Sequence, residues 1–310
     1  MLFAETGFDA RETVWNGLGR EVQGAKSSAE AIKLAGIDWK VVQKKMTTED
    51  GINIKGYYAN VRDSDNKVLG IVGERYKIVQ NNEAFEFTDE LLGQGVKYET
   101  AGSLNGGKRI WLLAKTPNDY KILGDSIEPY LVFTNTHDGT GSIKVAMTPV
   151  RVVCKNTLNL ALKKADRAWS ARHTGNINEK LNQARQTLEL ADLYMQTLNQ
   201  TFEELYKVKL DDKKVIELVD NLIPVDEDAS TRMKENKNSI KSDIIFRYEE
   251  APDLKDREKT GARFIQAVTD SVGHMEPKKL SANRQENFFN SMILKNELAD
   301  RAMNLVLAAA

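Results

Sequence analysis

The hydrophobic pattern of this chain changes period at Gly175, and that change restricts the fold more than any single motif. Before Gly175, apolar residues fall in short β-rich runs divided by turn residues. Tyr98 to Leu104 and Lys108 to Thr116, for instance, flank Asn105-Gly106-Gly107. An Asn-Gly pair between two β-rich runs is a hairpin signal. After Gly175 the apolar residues follow helical spacing, as in Leu181, Leu188, Leu198, Phe202 and Leu205. The expectation is an α+β protein. Residues 1–175 form a mainly antiparallel sheet with helices, and residues 176–310 form a helical region that caps the first or mediates self-association.

Within the first part, Ser27 with Glu30 has capping-box spacing and opens a short helix that stops at Gly36. Strands are predicted at Trp39 to Met46, Gly56 to Asp63 and Val68 to Val72, then a helix at Asn81 to Leu92. A second hairpin joins Ile127 to Thr134 with Ser142 to Val153 through the polar loop Asn135 to Gly141. Asn156 to Trp169 is predicted helical. In the second part, helices are predicted over Ile177 to Leu210, Lys213 to Leu222, Arg257 to Val272 and Ala282 to Leu307. Val225 to Asp256 is expected to be only partly regular.

Charge is balanced overall, with a formal net of -1, but not locally. Between Gly139 and Gly175 lie Lys144, Arg151, Lys155, Lys163, Lys164, Arg167 and Arg172 against one acid, Asp166, a net of +6. A phosphate backbone selects such a stripe. A solvated helix face carrying Lys and Arg gives the same composition. On a helix Lys155 and Lys163 nearly superpose and Lys163 shares a face with Arg167, while Lys164 lies about 100° round. These seven cations are the candidate nucleic-acid-binding residues. Tyr57, Tyr58, Tyr76 and Trp111 are candidate stacking platforms, although cross-strand packing explains them equally.

No catalytic or metal set emerges. Gly102 to Lys108 matches the start of a phosphate-binding G-x-x-x-x-G-K loop. Arg109 follows where Ser or Thr should hold magnesium, and the next residues are strand-like, so a hairpin turn is expected and no nucleotide hydrolysis. His137, His173 and His274 lack metal-ligand spacing. His137-Asp138 could serve as an acid/base pair, but turn chemistry is the simpler role. The lone Cys154 excludes an internal disulfide, suits a reducing cytoplasm and reads as a buried structural residue. No apolar run nears the ~18 residues of a membrane span, and the N-terminus has no signal-peptide pattern. No cofactor is expected.

Several runs carry a resemblance. They include Trp15-Asn16-Gly17-Leu18-Gly19, Gly70-Ile71-Val72-Gly73 with Tyr76, and Tyr98-Glu99-Thr100-Ala101-Gly102. Arg109 to Lys115, Thr134 to Gly139, Thr148 to Cys154 with Asn156-Thr157-Leu158, and Arg172-His173-Thr174 continue in order. In these the chain resembles the phage/plasmid-like family known as domain of unknown function 932. That resemblance implies residence on phages, plasmids or integrated elements and brings no catalytic residues. More distantly, a helix, a three-stranded meander and a second helix over residues 29–92 are similar to the core of Rad52-like single-strand annealing proteins. Those form rings or filaments and pair strands without ATP; fold alone does not fix function.

Two functions follow as expectations. The first is a phage- or plasmid-encoded nucleic-acid-binding protein favouring single-stranded DNA, an accessory of ATP-independent annealing or recombination that forms a homo-oligomer. The second is a non-catalytic protein that binds a host protein such as a defence factor. Both place it in the cytoplasm, away from membranes.

Overall fold

The divide in hydrophobic period reappears as a divide in secondary structure. The computed structural model describes residues 19–86, 88–89, 95–153, 157–162, 166–176, 179, 189–274, 289–291 and 295–309. Strands β1 (Arg20–Glu21), β5 (Lys97–Leu104), β6 (Arg109–Lys115), β8 (Asp125–Thr136), β9 (Ile143–Arg151) and β10 (Ala168–Ala171) lie in the order β1-β5-β6-β8-β9-β10. The short β7 (Tyr120–Ile122) pairs with β8, and every pairing in the sheet is antiparallel. A second sheet is the meander β2 (Val41–Thr47), β3 (Asn53–Arg62) and β4 (Val68–Gly73).

Helix α1 (Ser28–Leu34) starts where the capping signal placed it: Ser27 Oγ accepts from Glu30 N at 3.2 Å. Gly36, at φ 70°, follows the helix end. Asn105–Gly107 forms a one-turn 3₁₀ link between β5 and β6, with Gly107 at φ 90°. The phosphate-loop look-alike is thus a hairpin turn. Helix α2 spans Asn81–Glu86.

Alternation along β8 sets the two faces of the large sheet. Leu131 and Phe133 point into the main core with Leu112, Val145 and Met147. Tyr130 and Val132 point the other way, with Trp111, Leu113 and Phe289. The main core also takes in α3 (Glu189–Lys207), α4 (Asp212–Leu222), α5 (Thr231–Glu250), α6 (Gly261–His274) and α7 (Glu297–Ala308), through Phe202, Leu218, Ile244, Phe264 and Val306 among others. One apolar core therefore runs across residue 175.

Three expectations about elements need correction. Ala282 to Leu307 is not one helix: Asn296 has non-helical dihedrals, and its side chain accepts from Ala299 N to cap α7. Asn156 to Trp169 is not one helix: Thr157 makes an isolated bridge to Val150, and Trp169 lies in β10 opposite Val145. β10 extends the sheet by one strand, and its apolar pattern serves sheet packing rather than a helix face. Val225 to Asp256 is more regular than expected, because α5 is a 20-residue helix. Its polar sequence hides a thin apolar stripe, Ile240, Ile244 and Tyr248, at intervals of four.

Candidate nucleic-acid interface

Register on the large sheet builds the site. Side chains that are directly opposed across an antiparallel ladder share a face. Thr136 on β8 pairs with Arg109 on β6, Thr134 pairs with Lys144 on β9, and Lys144 pairs with Ser170 on β10. Thr134 and Thr136, two apart, lie on the face opposite the main core. The polar end of that face thus collects Arg109, Lys144, Thr134, Thr136 and Ser170. The β8–β9 loop adds Thr140, Gly141 and Ser142, and the chain leaving β10 adds Arg172. Together they line a cavity of about 480 Å³ with three cations and, among the described residues, no carboxylate.

The cations sit under electrostatic tension. Burial lowers the affinity of Lys144 for its proton, and the charges of Arg109 and Arg167 lower it further. Arg109 is fixed by Nη1 donating to Asn290 Oδ1 at 2.8 Å, over the Phe289 ring. Arg172 is exposed at the rim. Thr136 is only 3 % exposed, and its Oγ1 has no hydrogen-bond partner among the described residues. A Cβ on Gly141 would come within 2.7 Å of that oxygen, so only a glycine lets the β8–β9 loop lie this close to Thr136.

Two further cavities adjoin this one. On one side, sharing Thr140, Gly141 and Arg172, a cavity of about 590 Å³ is lined by Tyr57, Arg75, Tyr76 and His173 among others. Tyr76 stacks on His173 at 4.7 Å and donates from its hydroxyl to Thr136 O at 2.7 Å, which ties this wall to β8. Tyr57 is 55 % exposed. On the other side, sharing Lys144 and Ser170, a cavity of about 320 Å³ carries Arg167 and Lys295 but also Asp166 and Asp300. Arg167 is half-buried and donates from Nη1 to Met147 O at 2.7 Å. Burial holds its guanidinium below its ordinary pKa.

Of the seven candidate cations, Lys144, Arg167 and Arg172 line this run of cavities. Lys155, Lys163 and Lys164 lie outside the described residues, as does Cys154. Arg151 does not join: it is fully buried on the other face of the sheet, where Nε donates to Asp125 Oδ2 at 2.6 Å and Nη1 pairs with Asp253. It belongs to a buried ionic cluster with Arg257 and Gln266, and is withdrawn from the interface. Sequence alone assigns no binding role to Arg109 or to the hydroxyls. The alternation Thr134-x-Thr136 was their only sequence signal.

The His137-Asp138 pair separates. His137 is buried, its Nε2 2.8 Å from Asn81 Oδ1 and its ring edge-on to Trp39. Burial, with a smaller push from His173, drops its pKa to about 3. Asp138 turns outward and accepts from Thr140 N and Oγ1. Of the other aromatic candidates, Trp111 is buried against Phe289. Among the described residues, no cluster of His, Cys, Asp and Glu suits a metal ion, and no helix is long and apolar enough to cross a membrane.

A family model described as domain of unknown function (DUF932) matches residues 68–299, a span that holds Arg109, the β8–β9 hairpin and Arg172. No curated protein and no solved structure matches the chain.

Proposed function

Because the chain belongs to the DUF932 family, whose description assigns no activity, we propose its function from the cleft: it binds nucleic acid, preferring single-stranded DNA. One observation carries this reading. Arg109, Lys144 and Arg172 converge with hydroxyl side chains on one cavity that no carboxylate lines among the described residues. Phosphate oxygens accept hydrogen bonds and carry the charge that such a cavity lacks. The adjoining cavity offers Tyr57 as an exposed ring on which an unpaired base can stack, which a duplex does not present. The biological setting we assign is annealing or recombination on a phage or plasmid, in the cytoplasm, without ATP, by a homo-oligomer.

The test is fluorescence anisotropy with single-stranded and duplex oligonucleotides at two salt concentrations, with annealing followed in the same samples. Three cations each neutralising one phosphate give a log–log salt slope of about -2 for a single strand. Reversing charge at Lys144 and Arg172 should abolish binding and leave the fold intact. Salt-insensitive binding, or none, removes the reading.

A second reading rests on the meander. By register, Val42, Tyr57 and Ile71 share its outer face, with exposures of 40 %, 55 % and 56 %. An apolar face of this kind suits a host-protein partner. Capture of one defined host protein that survives nuclease treatment, with no oligonucleotide binding, would favour it.

A further inference from the structure

The cavity at Arg109, Lys144 and Arg172 offers more than a phosphodiester within a strand can use. A diester carries one charge, leaves by two ester bonds and presents two free oxygens sideways. A terminal phosphate monoester leaves by one bond, presents three free oxygens and carries about -1.5 to -2 charge at pH 7. The pocket is matched to the second. Three cations surround it, and its hydroxyls include one, on Thr136, that is recessed in the floor. That oxygen is buried and unpartnered among the described residues, beneath Gly141 at the edge of the cavity. A buried polar atom without a partner is costly, so a group that reaches it gains what the free protein lacks. An end group can enter head-on, whereas a diester with chain on both sides is held at the rim.

We propose that this cavity is a receptor for the terminal phosphate of a nucleic-acid strand, so that the protein distinguishes phosphorylated from hydroxyl strand ends. This deepens the nucleic-acid reading and rests on it. Arg172, at the rim between two cavities, would then meet the first internal phosphate, and Tyr57 would lie along the departing strand.

The experiment compares one internally labelled single strand in three forms: 5′-phosphate, 3′-phosphate and both ends hydroxyl. The expected result is about tenfold tighter binding of one phosphorylated form than of the hydroxyl form. That preference should shrink as pH falls through about 6, where the monoester takes up its second proton. Thr136→Val should reduce the preference to near unity, and its thermal midpoint should not fall. Inorganic phosphate and a nucleoside monophosphate, added as competitors, should erode the preference for the phosphorylated end. Equal binding of all three forms overturns the terminal-phosphate receptor and leaves strand binding standing. A preference that Thr136→Val does not change also overturns it, since the recessed hydroxyl is then not what reads the end. No binding of any form overturns both.

Discussion

Lys144 and Arg151 are seven residues apart on one uninterrupted strand, and an odd interval sends two side chains to opposite faces. One became part of an open cationic cavity and the other the centre of a buried ionic cluster. Their mutational consequences should differ accordingly. Arg151→Met leaves Asp125 and Asp253 without their buried partner and should cost about 3–5 kcal/mol in urea unfolding. Arg172→Met, at an exposed rim, should cost less than about 0.5 kcal/mol and weaken oligonucleotide binding instead. Acid should reveal the same cluster. Burial alone would raise the Asp125 carboxyl, but hydrogen bonds from Arg151 and Arg257 outweigh it and hold it below its usual value. A depressed carboxylate stabilises the fold above its ordinary pKa, and that contribution is lost as pH falls below about 4. Asp125→Asn should flatten that acid limb. The charge excess of the 139–175 region was plain in the sequence. Which cations face the cleft was not, because strand parity matters only once the strand and its buried face are known, and Asp253 lies 102 residues from Arg151.

Elements bounded by local chemistry were the most legible: the Ser27 cap, the Asn105 hairpin and both strands of the β8–β9 pair. Those defined by long-range packing were not. β10 has only four residues and gains its identity from pairing with β9. Helix α5 buries only Ile244 and Tyr248 fully, so its periodicity is faint against twenty mostly polar positions. The joint between the two sheets is equally silent in sequence. Gly70 of β4 lies so close to the β8–β9 loop that a Cβ there would fall 2.5 Å from Asp138 Cα. Because the obstruction is backbone, Gly70→Ala should destabilise by about 1–3 kcal/mol. It should also weaken oligonucleotide binding by displacing Thr140 and Gly141, although it alters no cation. Unfolding midpoints and anisotropy on the same sample check both effects; unchanged binding would detach the meander from the cleft.

Over the whole molecule, the helical half is joined to the sheet by polar clasps as well as by shared core. Tyr194 donates to Leu160 O at 2.8 Å, Ala161 N donates to Asp300 Oδ1 at 2.6 Å, and Arg257 reaches Asp125. The family match, 68–299, runs across residue 175 in the same way. Residues 1–175 produced alone should therefore lose the cooperative thermal transition of the full chain and bind a dye specific for exposed apolar surface. A sharp transition in the fragment would mark two independent units. The change of period at Gly175 located where helices take over, but it carried no sign of how closely the two parts share a core.

The register of β8 against β9 also has the character of a reading frame. Arg109, Thr136, Lys144 and Ser170 meet because each lies a whole number of pleats from its neighbour. Were β9 to slip by one position against β8, its two faces would exchange. Val145 would turn toward the cavity and Lys144 into the main core, and Arg151 would leave Asp125. The buried side chains of β9 thus hold the cavity together from behind, by keeping the pairing on which its polar face depends.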